Sequence, residues 1–276
     1  MTGARQFVTT ADGEQSSDPV RFGAYICLSV PAAARRDLAG LAVPAIAERL
    51  GLRNEFDPGG DHPAEAVGYV RGTGVVAADI ADPGLERADA VVHVASRSPG
   101  PVSEFCAELI RLAGPVAEVR VLDGVVRPLV YTGTAMFNFA YAHRALQQSG
   151  SVMPNAFLIP MTKTAAWWDK DWMERHTYFL PRYDDSGRKL TDGHPLAAAA
   201  GIPGIMRRFY QNATMPAPPA EYDFITYFEC SDHDIGTFQD VCAALRDVAR
   251  NPEWAFVREG PTWRGRRVRT WAELFA

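Results

Sequence analysis

The apolar residues of the first half of the chain fall into runs typical of strands and stripes typical of helices. The candidate segments, in chain order, are a strand at Phe22 to Val30, an alanine-rich helix at Pro31 to Leu50, strands at Ala66 to Ala78 and Ala88 to Ser96, a helix at Pro101 to Ala113 and a strand at Val116 to Leu122. This βαββαβ order predicts a ferredoxin-like unit.

The second half repeats that order. Ala88 to His93 can be laid over Tyr222 to Tyr227, and each is followed by a turn and by a helix with a phenylalanine near its start, Phe105 or Phe238. We therefore predict an α+β fold in which a duplicated ferredoxin-like repeat forms a barrel with antiparallel sheets. The predicted divisions are a flexible N-terminus (1–20), an N-terminal repeat (21–125), a connector (126–153) and a C-terminal repeat (154–276).

The amino-acid composition and the net charge bear on the kind of molecule that the protein binds. The chain is 47% hydrophobic and 22% charged, and its net charge is -5, which gives no electrostatic reason to expect nucleic acid or an anionic membrane. No run of eighteen apolar residues occurs and the first residues are polar, so we expect a cytoplasmic protein. The four cysteines are widely spaced without a C-x-x-C pair, which favours buried structural thiols.

Three motifs in the second half follow one another in a recognisable order. Ile159 to Trp168 reads I-P-M-T-K-T-A-A-W-W, with a lysine four residues before paired tryptophans. His194 precedes Arg207 by thirteen residues, and Asp223 to Glu229 reads D-F-I-T-Y-F-E. In these motifs, their order and their spacing, the chain resembles the chlorite dismutase family of heme enzymes, over about the C-terminal half.

The resemblance implies a cofactor and a set of roles. His194 would be the proximal ligand of heme b, and Arg207 would lie on the open face of the iron, where a guanidinium holds an oxyanion. Lys163 would pair with a heme propionate, while Trp167 and Trp168 would form walls of the pocket. The implied chemistry is conversion of chlorite to dioxygen and chloride, or slow turnover of peroxide. The family also implies a homo-oligomer, a pentamer, acting on a small molecule without nucleic acid or membrane.

Each assignment has an alternative reading from the residues alone. His194 follows a turn glycine and reads equally as a surface histidine, and His176 competes with it as the ligand because the segment before His194 aligns poorly. Arg207 and its neighbour Arg208 point to opposite faces of a strand, so that only one of them reaches the pocket. The two tryptophans are equally consistent with ordinary core packing.

Three departures from the family pattern limit the functional prediction. A count along the last long helix places Arg250 where the family has a glutamate beside the proximal histidine, with Glu253 as a substitute. Ile159 stands where the coproheme decarboxylase branch has a tyrosine, and the segment from Asp169 to Gly193 is an insertion of unassigned role. The alternatives are therefore a heme-dependent oxidase or peroxidase of an organic metabolite, or a non-catalytic heme-binding barrel.

Overall fold

A computed structural model describes residues 8–9, 15–16, 21–57, 65–126, 153–201 and 204–276. Its strands are β1 Val8–Thr9, β2 Gln15–Ser16, β3 Arg21–Ser29, β4 Arg53–Asn54, β5 Ala66–Val76, β6 Ala90–Ser96, β7 Glu118–Val126, β8 Asn155–Lys163, β9 Arg182–Tyr183, β10 Lys189–Thr191, β11 Ile205–Gln211, β12 Phe224–Cys230, β13 Val257–Glu259 and β14 Thr262–Val268. Its α-helices are α1 Arg35–Ala39, α2 Val43–Arg49, α3 Pro83–Glu86, α4 Pro99–Ala113, α5 Ala165–Trp168, α6 Trp172–Phe179, α7 Gly193–Ala198 and α8 Ile235–Arg246. Short 3-10 helices occur at Ala32–Ala34, Ala199–Gly201, Pro252–Phe256 and Ala272–Phe275. The predicted α+β class is confirmed.

The N-terminal half contains a four-stranded antiparallel sheet in the order β7-β3-β6-β5. Alternate residues of its strands face the helices, because side chains of a strand point in turn to its two faces. Ile26 and Val92 thus share one buried apolar cluster with Phe105 and Leu109 of α4. The predicted strands and the second predicted helix agree with β3, β5, β6, β7 and α4 to within a few residues.

The C-terminal half contains a second antiparallel sheet in the order β14-β8-β12-β11. In the N-terminal half the first strand, β3, lies between the last, β7, and the third, β6, and the second strand, β5, lies beside β6. In the C-terminal half β8 lies in the same way between β14 and β12, and β11 lies beside β12. Helix α8 covers one face of this sheet, where the rings of Phe157 and Phe238 stack with centroids 3.9 Å apart. The shared strand order is the one that a duplicated ferredoxin-like repeat requires.

The two sheets join at both edges. β5 pairs with β14, and β7 meets β11 at Val125 and Gln211, so the strand pairings run around a ring of eight strands. Side chains that point away from the helices form one cluster drawn from both sheets, with Tyr25 from one half and Tyr227 and Trp263 from the other. The interior of the ring is therefore a packed core to which both halves contribute.

One predicted helix is broken in the structure. The stretch from Pro31 to Leu50 forms a 3-10 turn followed by α1 and α2, which are separated at Gly40. Pro44 lies at the start of α2, where its missing N–H is tolerated, and it cannot continue a helix from the preceding residues.

Most of the predicted N-terminal segment (1–20) and of the connector (126–153) lies outside the described residues. Among the described helices, none has the length and apolar character needed to cross a membrane.

Gly23 of β3 allows the two halves to approach closely. A Cβ at this position would overlap the hydroxyl of Tyr210 in β11, whose side chain is 1% exposed. We expect Gly23→Ala to lower the free energy of unfolding by about 1–3 kcal/mol, the usual cost of overpacking a tight core. Urea denaturation measures this difference.

Gly100→Ala is the matched control, because a Cβ there meets nothing within 4 Å. Its stability should be unchanged or slightly raised, since alanine is the better helix former. Equal unfolding curves for Gly23→Ala and the parent protein would show that the contact with Tyr210 is not tight.

Candidate functional site

His194 lies at the start of α7 and is buried, with 8% of its surface exposed. The preceding Gly193 has a φ of 64°, and a Cβ there would overlap the carbonyl oxygen of Phe179. The N–H groups of Asp192 and Gly193 donate to the carbonyl oxygen of Arg250 at 2.8 and 3.0 Å. This turn fixes the histidine against the segment that follows α8, so His194 is not the surface residue of the alternative reading.

Glu253 connects His194 to Lys163. Nδ1 of His194 lies 2.9 Å from Oε2 of Glu253, and Nζ of Lys163 donates to Oε1 of the same carboxylate. Burial alone would raise the pKa of Glu253, but Lys163 and His194 outweigh it and lower the pKa to about 2. The ionised carboxylate accepts the proton on Nδ1, which leaves the lone pair of the imidazole on Nε2.

Lys163 ends β8 and is 6% exposed. Burial lowers the pKa of Lys163, while the charge of Glu253 opposes the fall. The ammonium group also lies 4.4 Å from the centre of the Trp167 ring, a favourable cation–π distance. The ionic partner that the structure gives Lys163 is thus Glu253, and the expected contact with a propionate stays a prediction.

The paired tryptophans have different environments. Trp167 is completely buried and packs edge-on against Phe179, 5.7 Å between ring centroids, whereas Trp168 is partly exposed and lies under the guanidinium of Arg175. Trp167 therefore fills core beside Lys163. Trp168 is the one of the pair whose position suits a pocket wall.

The two neighbouring arginines of β11 point to opposite faces, as strand alternation predicts. Arg208 is 8% exposed and its Nη2 lies 2.9 Å from Oε1 of Glu55 inside the ring of strands. Arg207 is partly exposed on the other face, with its guanidinium 4.7 Å from the centre of the Phe209 ring. The side of β11 that faces away from the interior thus carries Arg207.

The helix count places Arg250 beside His194, but the structure has the suggested substitute, Glu253, there. Arg250 donates from Nε to Oδ2 of Asp192 at 2.8 Å and does not reach the imidazole. Helix α8 ends at Arg246, and the chain turns before the 3-10 helix Pro252–Phe256 brings Glu253 to His194. A count that assumes a continuous helix ignores this turn and therefore ends three residues too early, at Arg250.

The insertion from Asp169 to Gly193 packs beside the histidine. It forms α6 and the β9–β10 hairpin, and the ring of Phe179 lies 5.7 Å from that of His194. Phe179 is completely buried, so this segment covers one side of His194.

Among the described residues, the other histidines give no second candidate of equal quality. His176 is partly buried on α6, His233 is exposed, and His93 is buried in the ring interior; His62 and His143 lie outside the described residues. Within the described ranges no three histidine, cysteine or acidic side chains converge as a metal-binding group. No sequence motif indicates a role for Glu55, which lies in an irregular segment after β4.

Solved structures with this fold include chlorite dismutases. A mutant chlorite dismutase from Candidatus Nitrospira defluvii superposes with a TM-score of 0.64 at 19% identity, covering 92% of this chain and 93% of that one. Chlorite dismutase from the same organism in complex with imidazole gives a TM-score of 0.63 at 21% identity, covering 92% and 93%. The chain thus shares the fold of these proteins over nearly its whole length.

No protein-family model and no curated protein matches the sequence. At these identities the structural likeness establishes the fold.

The carboxylate of Glu253 allows a test of the site's electrostatics. Its folded-state pKa of about 2 lies below the value of about 4.3 for an unperturbed glutamate. Ionised Glu253 therefore stabilises the fold above about pH 4.3, and this stabilisation is lost as the pH falls toward 2. We expect Glu253→Gln to lower the free energy of unfolding by about 3–5 kcal/mol at neutral pH, because it leaves Lys163 buried without its counter-ion.

Urea denaturation of the heme-free protein between neutral and acid pH measures the difference, which should shrink below about pH 4.3. Glu174→Gln is the control, since it breaks an exposed Lys170–Glu174 pair with the same charge change and should have little effect at any pH. A difference between parent and Glu253→Gln that does not vary with pH would contradict the assigned ionisation.

Proposed function

We propose that this chain is a heme b-dependent oxidoreductase of the chlorite dismutase type, with His194 as the proximal ligand and Arg207 on the opposite face of the cofactor. The observation that supports it most is the buried His194–Glu253–Lys163 arrangement. A neutral imidazole held at Nδ1 by a carboxylate is the form in which histidine binds a metal through Nε2.

The residues around His194 fit a heme. A single histidine would suit heme iron, because the porphyrin supplies most of the ligands of the iron, whereas a structural zinc site would need further protein ligands. Small residues from Ala197 to Gly201 follow the histidine, and two of them, Ala199 and Ala200, are exposed. Small side chains let a large flat ligand approach the backbone, and the apolar core beside them, which includes Ile205 and Phe238, is buried.

Glu253 and Lys163 would control the proximal bond. A strong hydrogen bond from Nδ1 to an ionised carboxylate raises the electron-donor strength of Nε2. The positive charge of Lys163 stabilises the ionised form of Glu253. The proton on Nδ1 therefore stays on the imidazole. In this proposal Lys163 acts on the cofactor through Glu253.

When bound, the heme supplies the iron redox chemistry by which chlorite gives chloride and dioxygen, or by which a peroxide is reduced. Arg207 binds and orients the anion, because a guanidinium offers a planar fork of donors and a charge that does not titrate. The same donors stabilise negative charge on a departing oxyanion. Phe209 lies beneath the guanidinium and limits its orientations.

Trp168 would line the edge of the pocket, with Trp167 as core behind it. By resemblance to the same family we also propose a homo-oligomer, a pentamer, that acts on a small oxyanion or peroxide. The alternatives, an oxidase of an organic metabolite and a heme carrier without catalysis, are outcomes of the tests below.

His194→Ala should abolish stable hemin binding and leave the fold intact, because the protein then supplies no axial bond. A hemin titration followed by the Soret band measures binding, and circular dichroism checks the fold. His176→Ala is the control and should bind hemin like the parent. Normal binding by His194→Ala with loss in His176→Ala would transfer the ligand role to His176.

Arg207→Ala should keep the Soret band and lose roughly 10²-fold or more in turnover of chlorite or peroxide, the scale for deleting one preorganised donor. Arg207→Lys should recover part of the loss, since an ammonium supplies the charge without the fork. Steady-state kinetics of the hemin-loaded proteins measures both.

Arg264→Ala is the matched control, because Arg264 is an exposed arginine on β14. Arg208→Ala is unsuitable, since it would leave Glu55 buried without its partner. Equal turnover by parent and Arg207→Ala would refute the distal arginine. A hemin-loaded parent that turns over neither oxidant would favour an oxidase of an organic metabolite or a heme carrier.

A further inference from the structure

The interior of the strand ring contains a polar cluster for which the proposed function gives no role. Its members come from both halves of the chain and are each no more than 8% exposed. They are Tyr25, Glu55, His93, Arg208, Tyr210, Tyr227, Glu229 and Arg267. Two carboxylates and two guanidinium groups balance in charge, so the cluster is neutral when its histidine is neutral.

Tyr210, His93 and Glu55 form a hydrogen-bonded chain. Oη of Tyr210 lies 2.9 Å from Nε2 of His93, and Nδ1 of His93 lies 2.8 Å from Oε1 of Glu55. Burial would raise the pKa of Glu55, but Arg208, Arg267 and His93 hold it well below its usual range. Nη1 of Arg208 also lies 3.1 Å from Nδ1. The shorter contact of Nδ1 is with the ionised carboxylate, which can only accept, so Nδ1 carries the proton and Nε2 accepts from the phenol.

His93 is able to accept a second proton. Burial, with a contribution from Arg208, lowers the pKa of His93 to about 4, so the imidazole is neutral at physiological pH. A phenol that donates to a neutral imidazole, itself held by a carboxylate, is arranged as an acid facing its general base. Gly23 provides the space in which the Tyr210 hydroxyl sits.

Tyr227 has an acceptor of its own. Its hydroxyl donates to Oε1 of Glu229 at 2.7 Å. Tyr25 lies between the two tyrosines, with its ring centroid 5.1 Å from Tyr227 and 5.7 Å from Tyr210. The hydroxyl of Tyr25 interacts with the guanidinium of Arg208, which cannot take a proton, so Tyr25 connects the rings but has no base.

Tyr210 and the proposed distal residue share one strand. Arg207 and Tyr210 are three residues apart on β11 and point to opposite faces, so the tyrosine lies directly behind the wall that carries Arg207. Both tyrosine hydroxyls are enclosed in packed protein, where water and external reductants are excluded.

We propose that Tyr210 and Tyr227 are redox-active and take up the oxidising equivalents of hydrogen peroxide consumed at the cofactor when no other reductant is present. Each oxidation breaks a phenolic O–H bond and forms a tyrosyl radical. The proton moves to Nε2 of His93 from Tyr210, and to Oε1 of Glu229 from Tyr227. The two electrons, with two protons from solvent, reduce one hydrogen peroxide to two waters.

This inference rests on the proposed function for its oxidant, and a spectroscopic signal tests it separately from turnover. The hemin-loaded protein is mixed with one equivalent of hydrogen peroxide, frozen rapidly and examined by electron paramagnetic resonance. We expect an organic radical whose signal narrows when the protein carries ring-deuterated tyrosine, which identifies it as tyrosyl without any substitution.

Tyr210→Phe and Tyr227→Phe keep the rings and remove the hydroxyls. Each single substitution should reduce the radical signal by about half, because the two tyrosines supply one electron each. The double variant should lose the radical signal and still bind hemin. Tyr69→Phe is the matched control, because Tyr69 is a buried tyrosine of the other core that packs against Trp271, and it should keep the signal.

A signal that persists unchanged in both single variants, or that disappears in Tyr69→Phe, would overturn the assignment. A parent that binds hemin and consumes peroxide without a tyrosyl radical would refute this inference alone. A parent that does not bind hemin would refute the proposed function and this inference together.

Discussion

The carboxylate of Glu253 is the group on which the candidate site depends. It is buried, and a buried carboxylate is tolerated only when its charge and its oxygens have partners. Lys163 occupies Oε1 and His194 occupies Oε2. The three residues come from β8, α7 and the 3-10 helix after α8, so the charge requirement of one side chain brings together parts of the chain that are up to ninety residues apart.

Strand β11 imposes the second constraint. Its alternation directs Arg208 and Tyr210 into the ring and Arg207 toward the other face, and a slip of one residue would exchange these faces. Pairing of Arg208 with Glu55 and the fit of Tyr210 over Gly23 oppose such a slip. The direction of Arg207 is thus determined by residues on the opposite face of the same strand.

Much of the fold could be predicted because its signals are local. Apolar alternation and helical spacing gave the order of strands and helices, and the same alternation correctly separated Arg207 from Arg208. The break between α1 and α2 was missed because alanine-rich spacing continues across Gly40. Counting along the helix leads to Arg250 and leaves Glu253 as a substitute only, because the position of Glu253 depends on a turn. No local signal brings His93 to Glu55 and Tyr210, because these residues are distant from it in sequence.

The two buried ionic clusters are each balanced in charge. Lys163 balances Glu253, and in the ring interior Arg208 and Arg267 balance Glu55 and Glu229, while His93 is neutral. A neutral cluster projects little field beyond its own contacts, because opposite charges at short range cancel at longer distance. Arg207 lies outside both clusters, on the face of β11 opposite Arg208. In the proposed enzyme Arg207 holds the oxyanion, and the interior charges keep the strand that carries it in register.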